Sequence, residues 1–293
     1  MAYRLALVTV AATFVLILFG GLVTNTGAAL AVPDWPSTFG HNMFLFPWSG
    51  MIGGVFYEHS HRLLGAVVGF LTLALAAALW PRGGRLRALG LVAVVAVIAQ
   101  GILGGLRVVL LHDQLAIVHG CLAQAFWALL VALAVLTRPG AGASVPAASP
   151  RGLAVAAVLV VYAQIVFGAL LTHEGWIWLH LAGAVGVFAV VPVLTARARR
   201  LDDALTVRAS RALLILLGLQ LALGAGSFVA RFSSVWIPGE QLTMLALPVA
   251  HRLAGSLILA ATVVVAIRAG AGASRARTAT VPLAAHARMG GAR

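Results

Sequence analysis

The sequence predicts an all-α integral membrane protein of eight transmembrane helices, set out as two pseudo-symmetric four-helix bundles. Three observations predict it. The chain is dominated by apolar residues, these fall into eight runs long enough to cross a bilayer, and the arginines between the runs gather on one side of the resulting model. Of 293 residues, 62% are hydrophobic and 9% charged, with a mean hydropathy of +1.04. A soluble domain carries roughly 25% charged residues. The formal net charge of +13 would suit nucleic acid only if it covered a water-facing surface. Spread between apolar runs it does not, so membrane lipid is the expected surrounding and no nucleic-acid partner is expected. The single cysteine, Cys121, lies in an apolar run and allows no intrachain disulfide.

About 20 apolar residues make a helix long enough for the roughly 30 Å hydrocarbon core. The first such run covers 5–24. Ala29-Leu30-Ala31 after it resembles a signal-peptide cleavage site, but the run is long and only Arg4 precedes it, so it reads as a retained helix. The largest outer segment, 25–59, follows and contains Pro33-Asp34-Trp35-Pro36. Runs two to four cover 60–80, 88–108 and 115–136, and runs five to eight cover 152–172, 176–196, 211–230 and 247–267. Residues 1–137 thus form an amino-terminal bundle, 138–151 a cytoplasmic linker, 152–268 a carboxy-terminal bundle and 269–293 an Ala-, Gly- and Arg-rich cytoplasmic tail expected to be disordered.

Arg4, the 82–87 loop, Arg138, Arg151, the 197–211 cluster and the tail share one side, which the positive-inside rule makes cytoplasmic. Both termini are therefore expected inside. Asp34, Glu58, Asp113, Glu174 and Glu240 fall on the other side.

Repetition supports the division into halves. His61-Arg62-Leu63-Leu64-Gly65 opens the second run, His251-Arg252-Leu253-Ala254-Gly255 opens the eighth, and runs three, five and seven share a glutamine followed by small residues from Gln100, Gln164 and Gln220. Duplication of helix pairs accounts for this. For most of the glycines, close helix packing in lipid is a sufficient reason.

Of nine histidines, His61, His119, His180 and His251 each stand in the first turn or so of an even-numbered helix, at one depth near the outer face. A lone histidine at a helix end is ordinarily a solvated or hydrogen-bonded side chain. Four in register favour metal ligation, and neutral imidazole is a usual axial ligand of haem iron. His61 and His119 face one porphyrin in the first half, and His180 and His251 face another in the second. A tetrahedral zinc site would have to straddle both halves. His41, His59, His112 and His173 read as solvated residues in or beside outer loops, and His286 as part of the tail.

The halves differ at one position. Glu58 precedes His61 by three residues, whereas Ala116, Ile177 and Pro248 occupy the matching places before His119, His180 and His251. A carboxylate beside one couple points to chemistry there and to electron storage or structure at the other; pairing with Arg62 or helix capping explains Glu58 equally well. Arg62 and Arg252 directly follow proposed ligands and suit bidentate contact with haem propionates, with snorkelling as the alternative. Trp35, Trp48, Trp176, Trp178 and Trp236 fit an interfacial aromatic belt.

Together Glu58-x-x-His61-Arg62, the later His119, His180 and His251, the Gly21-Leu22-Val23-Thr24-x-Thr26-Gly27 run and Pro33-Asp34-Trp35-Pro36 resemble the haem A synthase family. The resemblance implies a bacterial plasma-membrane oxidoreductase that converts the C8 methyl of haem O to a formyl group by successive hydroxylations, giving haem A for cytochrome oxidase. It implies haem O as substrate at His61 and His119, Glu58 as the required carboxylate, and a haem b cofactor with its iron held by His180 and His251. Haem O synthase and cytochrome oxidase assembly factors are the partners it suggests. Many bacterial members carry a cysteine pair in the first outer loop, where this chain has Val32 and Thr38.

A di-haem b-type electron-transfer protein without substrate oxidation is the alternative. Such carriers often place two ligands on one helix, one near each membrane face, unlike the single-face arrangement here. A transporter ranks below both, since no paired mid-membrane interruption is evident.

Overall fold

The computed structural model describes residues 1–140, 150–201, 203–235 and 239–287. Most of the linker (141–149), Trp236 and the last six residues of the tail lie outside the described residues.

The apolar runs fold as eight helices, each long and apolar enough to cross a membrane. They are α1 (Ala2–Asn25), α2 (Gly54–Leu79), α3 (Gly84–Leu110), α4 (Asp113–Thr137), α5 (Arg151–Glu174), α6 (Ile177–Ala198), α7 (Ala204–Phe232) and α8 (Glu240–Ala287). No strand is assigned among the described residues. The membrane-crossing part of α8 is Gln241–Ala269. The helix continues to Ala287 through a stretch expected to be disordered, and alanine and arginine are among the strongest helix formers.

Helices begin earlier than hydropathy suggests. His61 stands seven residues into α2 and His251 eleven residues into α8, two to three turns inside rather than in the first turn. The added turns contain Glu58 and Gln241, polar residues that end a hydropathic run without ending a helix.

In the first half α1 packs on α2, α2 on α3, α3 on α4 and α4 on α1; in the second, α5, α6, α7 and α8 close in the same way. The two sets meet along α1, α4, α5 and α8. One apolar core joins Ala6, Leu75 and Leu130 of the first set. The other crosses between sets, with Ile17 and Trp127 packed among Val191, Leu213 and Leu259. Trp127 stacks near Phe14 at 5.4 Å and its indole N–H donates to the Val10 carbonyl at 2.9 Å, tying α4 to α1. The Tyr162 hydroxyl donates to the Cys121 carbonyl at 3.0 Å, tying α5 to α4.

Large side chains such as Phe70, Trp178 and Ile215 face outward, as lipid permits. The hydroxyls of Thr9, Thr13, Thr72, Thr137 and Thr262 each donate to the carbonyl four residues back, so these hydroxyl hydrogens are not stranded in apolar surroundings. Gly175, with φ of 76°, supplies the left-handed cap that ends α5 two residues before α6 begins.

At the end opposite the four histidines, Asp203 caps α7 by accepting from the Thr206 N–H. It also takes two bonds from Arg268 of α8, at 2.7 and 3.1 Å. Burial raises the Asp203 carboxyl, but the Arg268 and Thr206 hydrogen bonds outweigh it and hold the pKa down to about 2. Its stabilisation is therefore present above the ordinary value of 3.8 and is lost as pH falls through the folded value. Asp203→Ala is expected to cost about 1–3 kcal/mol from the lost cap and ion pair, read as a lower unfolding temperature in detergent near neutral pH. The gap between variant and parent should narrow from pH 4 towards 2; an equal gap at both would deny the pair its role.

Candidate functional site

The four even-numbered helices begin at one end of the bundle, and there the structure brings the predicted histidines together in couples. The His61 and His119 rings stand 6.4 Å apart, centre to centre, at 71°. Those of His180 and His251 stand 6.1 Å apart at 65°. Two imidazoles bonded at about 2.0 Å to one metal atom put their ring centres about 6 Å apart. Both couples therefore have the separation that a shared axial metal requires, and both rings of each come from parallel helices.

Each histidine rests on a glycine of the preceding helix. A Cβ added to Gly20 would lie 3.2 Å from Cε1 of His61, one on Gly104 3.4 Å from His119, one on Gly168 3.4 Å from His180 and one on Gly224 3.0 Å from His251. The seat recurs in all four helix hairpins. The ring edge lies against the backbone, so a side chain at Gly20 or Gly224 would press on the imidazole, while at Gly104 and Gly168 a Cβ would just touch it. Sequence reading assigned these glycines to helix packing; the signal that could have found them is the fixed four-residue step from Gln100, Gln164 and Gln220.

Those glutamines reach the same histidines. Gln100 Nε2 donates to the His119 carbonyl at 3.2 Å, Gln164 Nε2 to the His180 carbonyl at 3.0 Å, and Gln220 Nε2 lies 3.1 Å from Nε2 of His251. In the first hairpin Leu16 holds the equivalent place. The side-chain oxygens of all three glutamines, and Nδ1 of His61, His119 and His251, are buried without hydrogen-bond partners. Unpaired polar atoms of this kind are costly in apolar surroundings and mark a place built for a further group.

Glu58 is buried one turn from His61 and is fully engaged. One oxygen accepts from Arg62 at 2.7 Å and the other from the Val32 N–H at 3.0 Å. Arg62 also donates to the carbonyls of Val32, Asp34 and Ser37. Its expected role toward a propionate meets a guanidinium already spanning four acceptors, three carbonyls of the outer loop and the Glu58 carboxylate of α2. Arg252, by contrast, makes no ion pair among the described residues, and its Nη1 lies 3.7 Å from the Cβ position of Gly21.

The loop between α1 and α2 is pinned over this end. Trp35 lies so close on Gly105 of α3 that an added Cβ would fall within 2.7 Å of three indole carbons. Thr38 is buried and its hydroxyl lies 3.1 Å from Nδ1 of His59, whose ring packs 5.1 Å from Phe46. His59 is thus a buried anchor rather than a solvated loop residue, since α2 begins before it. Trp35 likewise has a specific seat that an aromatic belt does not describe. Asp34 closes the loop. Burial raises its carboxyl, but the Gly40 N–H, the Ser37 hydroxyl and the Phe39 N–H together outweigh it and lower the pKa to about 2. Gly105→Leu is expected to expel Trp35 and speed protease cleavage within residues 26–53 at least several-fold. Unchanged cleavage would show that the loop is held without that seat.

No protein-family model matches the chain. Over 110 residues it is 34% identical to a curated protein named heme A synthase from Shouchella clausii (strain KSM-K16). The matched stretch is 36% of this chain and spans about a third, 35%, of that relative. The likeness is thus to part of a protein of that name, and the eight long apolar helices are those of a multi-pass membrane protein.

Proposed function

We propose that the protein is a haem A synthase of the bacterial plasma membrane, oxidising the C8 methyl of haem O to the formyl group of haem A. The observation that carries the proposal is the pair of histidine couples, each at metal-sharing distance and seated on glycine. The partial likeness to a protein named heme A synthase selects among haem functions.

Haem O is the substrate at the His61 and His119 couple. His180 and His251 hold a haem b, which when bound supplies one-electron redox chemistry. The buried histidine nitrogens without partners and the glycine seats fit such a group: His61, His119 and His251 each have a ring nitrogen that no protein group occupies, and the unpaired glutamine oxygens could accept from a ring N–H once the imidazoles held iron.

The chain's own residues supply the rest. Glu58, the carboxylate beside the first couple, is the proton-transfer group, held in place by Arg62 and the Val32 N–H. The loop carrying Trp35 excludes bulk water from that couple, which strengthens every charge interaction inside. Arg252 is the propionate anchor of the second couple, while Arg62 secures the loop. Arginine placement puts both termini in the cytoplasm and the couples near the outer face. Haem O synthase is the expected source of substrate, and cytochrome oxidase assembly factors the expected recipients.

Extraction of pigments from cells making this protein together with haem O synthase tests the reading. Chromatography should show haem A, and haem O alone, with the protein present in the membrane, would overturn it. Such a result alongside a retained two-haem spectrum would favour the electron-transfer alternative.

A further inference from the structure

Between the two sets of helices, at the histidine end, lies a cavity of about 290 Å³. Its polar lining includes Thr24, Arg107, Asp113, Thr172, His173 and Arg231. Three of these continue the histidine seats outward. Thr24 is four residues beyond Gly20, Arg107 three beyond Gly104, and Thr172 four beyond Gly168; a helix places such residues on one face, one turn along. Arg231 is seven beyond Gly224, two turns along the same face. The cavity thus sits directly outward of all four imidazoles.

Its charges are unbalanced. Nε of Arg107 is buried without a partner, and Asp113 makes no ion pair with either lining arginine among the described residues. Arg231 donates to the Asn25 side-chain oxygen at 2.6 Å, a neutral acceptor. Arg252 lies within electrostatic range of Arg231, and His173 within range of Arg107 and Arg252 and of the carboxylates of Asp113 and Glu174, leaving three arginines against two carboxylates. Arg107 is half-buried and Arg231 exposed at the mouth of the cavity, and guanidinium groups gathered at one site repel one another unless an anion joins them. Their planar forks match the two oxygens of a carboxylate. The volume is at the lower limit for a whole organic ligand, so it suits a side group of a molecule bound mainly elsewhere.

We infer that this cavity is an anion site, built by Arg107 and Arg231, that receives a propionate of the porphyrin held by a neighbouring histidine couple. The inference rests on the haem reading above. It gives the two porphyrin positions a common charged meeting point, where the carboxylate of one ligand alters the charge felt by the other. A phospholipid phosphate is the other source of a suitable oxyanion, and the experiment separates the two.

Protein from haem-depleted cells is titrated with iron protoporphyrin IX and with its dimethyl ester, following the low-spin absorption band. The parent should bind the free acid at least about 10-fold more tightly than the ester, the factor one charge-assisted contact supplies. In the Arg107→Gln, Arg231→Gln double variant that ratio should fall at least several-fold, the part that remains being owed to Arg252. A ratio near one in the parent, which needs no variant to fold, would overturn the inference, as would a ratio undiminished in the double variant. Phosphatidylglycerol that copurifies with the parent and is lost from the double variant, together with a parental ratio of one, would assign the cavity to lipid. Failure of both porphyrins to give a low-spin band would instead count against the histidine couples themselves.

Discussion

Replacement of His180 or His251 by alanine is expected to abolish the b-type haem spectrum of the purified protein, a complete loss rather than a shift. The couple has no spare ligand. Its rings are 6.1 Å apart, and no group of three or more His, Cys, Asp or Glu positioned for a metal ion occurs among the described residues. Truncation removes the metal bond and leaves a gap beside Gly168 or Gly224 that neither glutamine fills with an equivalent donor. His61→Ala serves as the comparison, since it should leave the carboxy-terminal spectrum in place while ending haem A formation. Preparations of both His180→Ala and His251→Ala that keep the parental low-spin band would displace the cofactor from this couple.

Glu58→Gln is expected to lower haem A formation by about 100-fold or more, the range of a lost proton-transfer group, with haem content unchanged. Glutamine keeps the shape but only one of the two acceptor oxygens, so it can hold Arg62 or the Val32 N–H and not both, while the Arg62 bonds to three loop carbonyls keep the loop held. What disappears is the ability to ionise. Arg62→Gln provides the contrast, because it removes the bridge to three loop carbonyls while sparing the carboxylate. If Glu58→Gln cells accumulate haem A normally while Arg62→Gln cells do not, the carboxylate serves only to hold the loop.

The helix count was legible because lipid imposes it: a chain cannot cross the bilayer without a long apolar run, and eight such runs are plain. Register of the four histidines was legible for the same reason, since alternate helices begin at one end. Their depth was not. Glu58 and Gln241 stop a hydropathic run, but protein packing carries the helix past them, so His61 and His251 lie two to three turns inside while His180 stays in the first turn of α6. The misreading of His59 follows from that boundary error. The glycine seats stayed hidden because a glycine beneath an imidazole and a glycine between two helices look alike in one dimension. Trp35 showed its amphipathic character in the sequence but not its partner, Gly105, which lies far along the chain.

The hairpin seats bear on how the molecule is made. Each imidazole finds its glycine on the helix just before it, so the contact becomes available as soon as that pair of helices has entered the membrane. Coupling the rings instead waits for α4 to join α2, or α8 to join α6. On the proposed haem reading, the imidazoles would be oriented one by one as hairpins insert, and each couple would be completed only when its second hairpin arrives, the leading half before the trailing half.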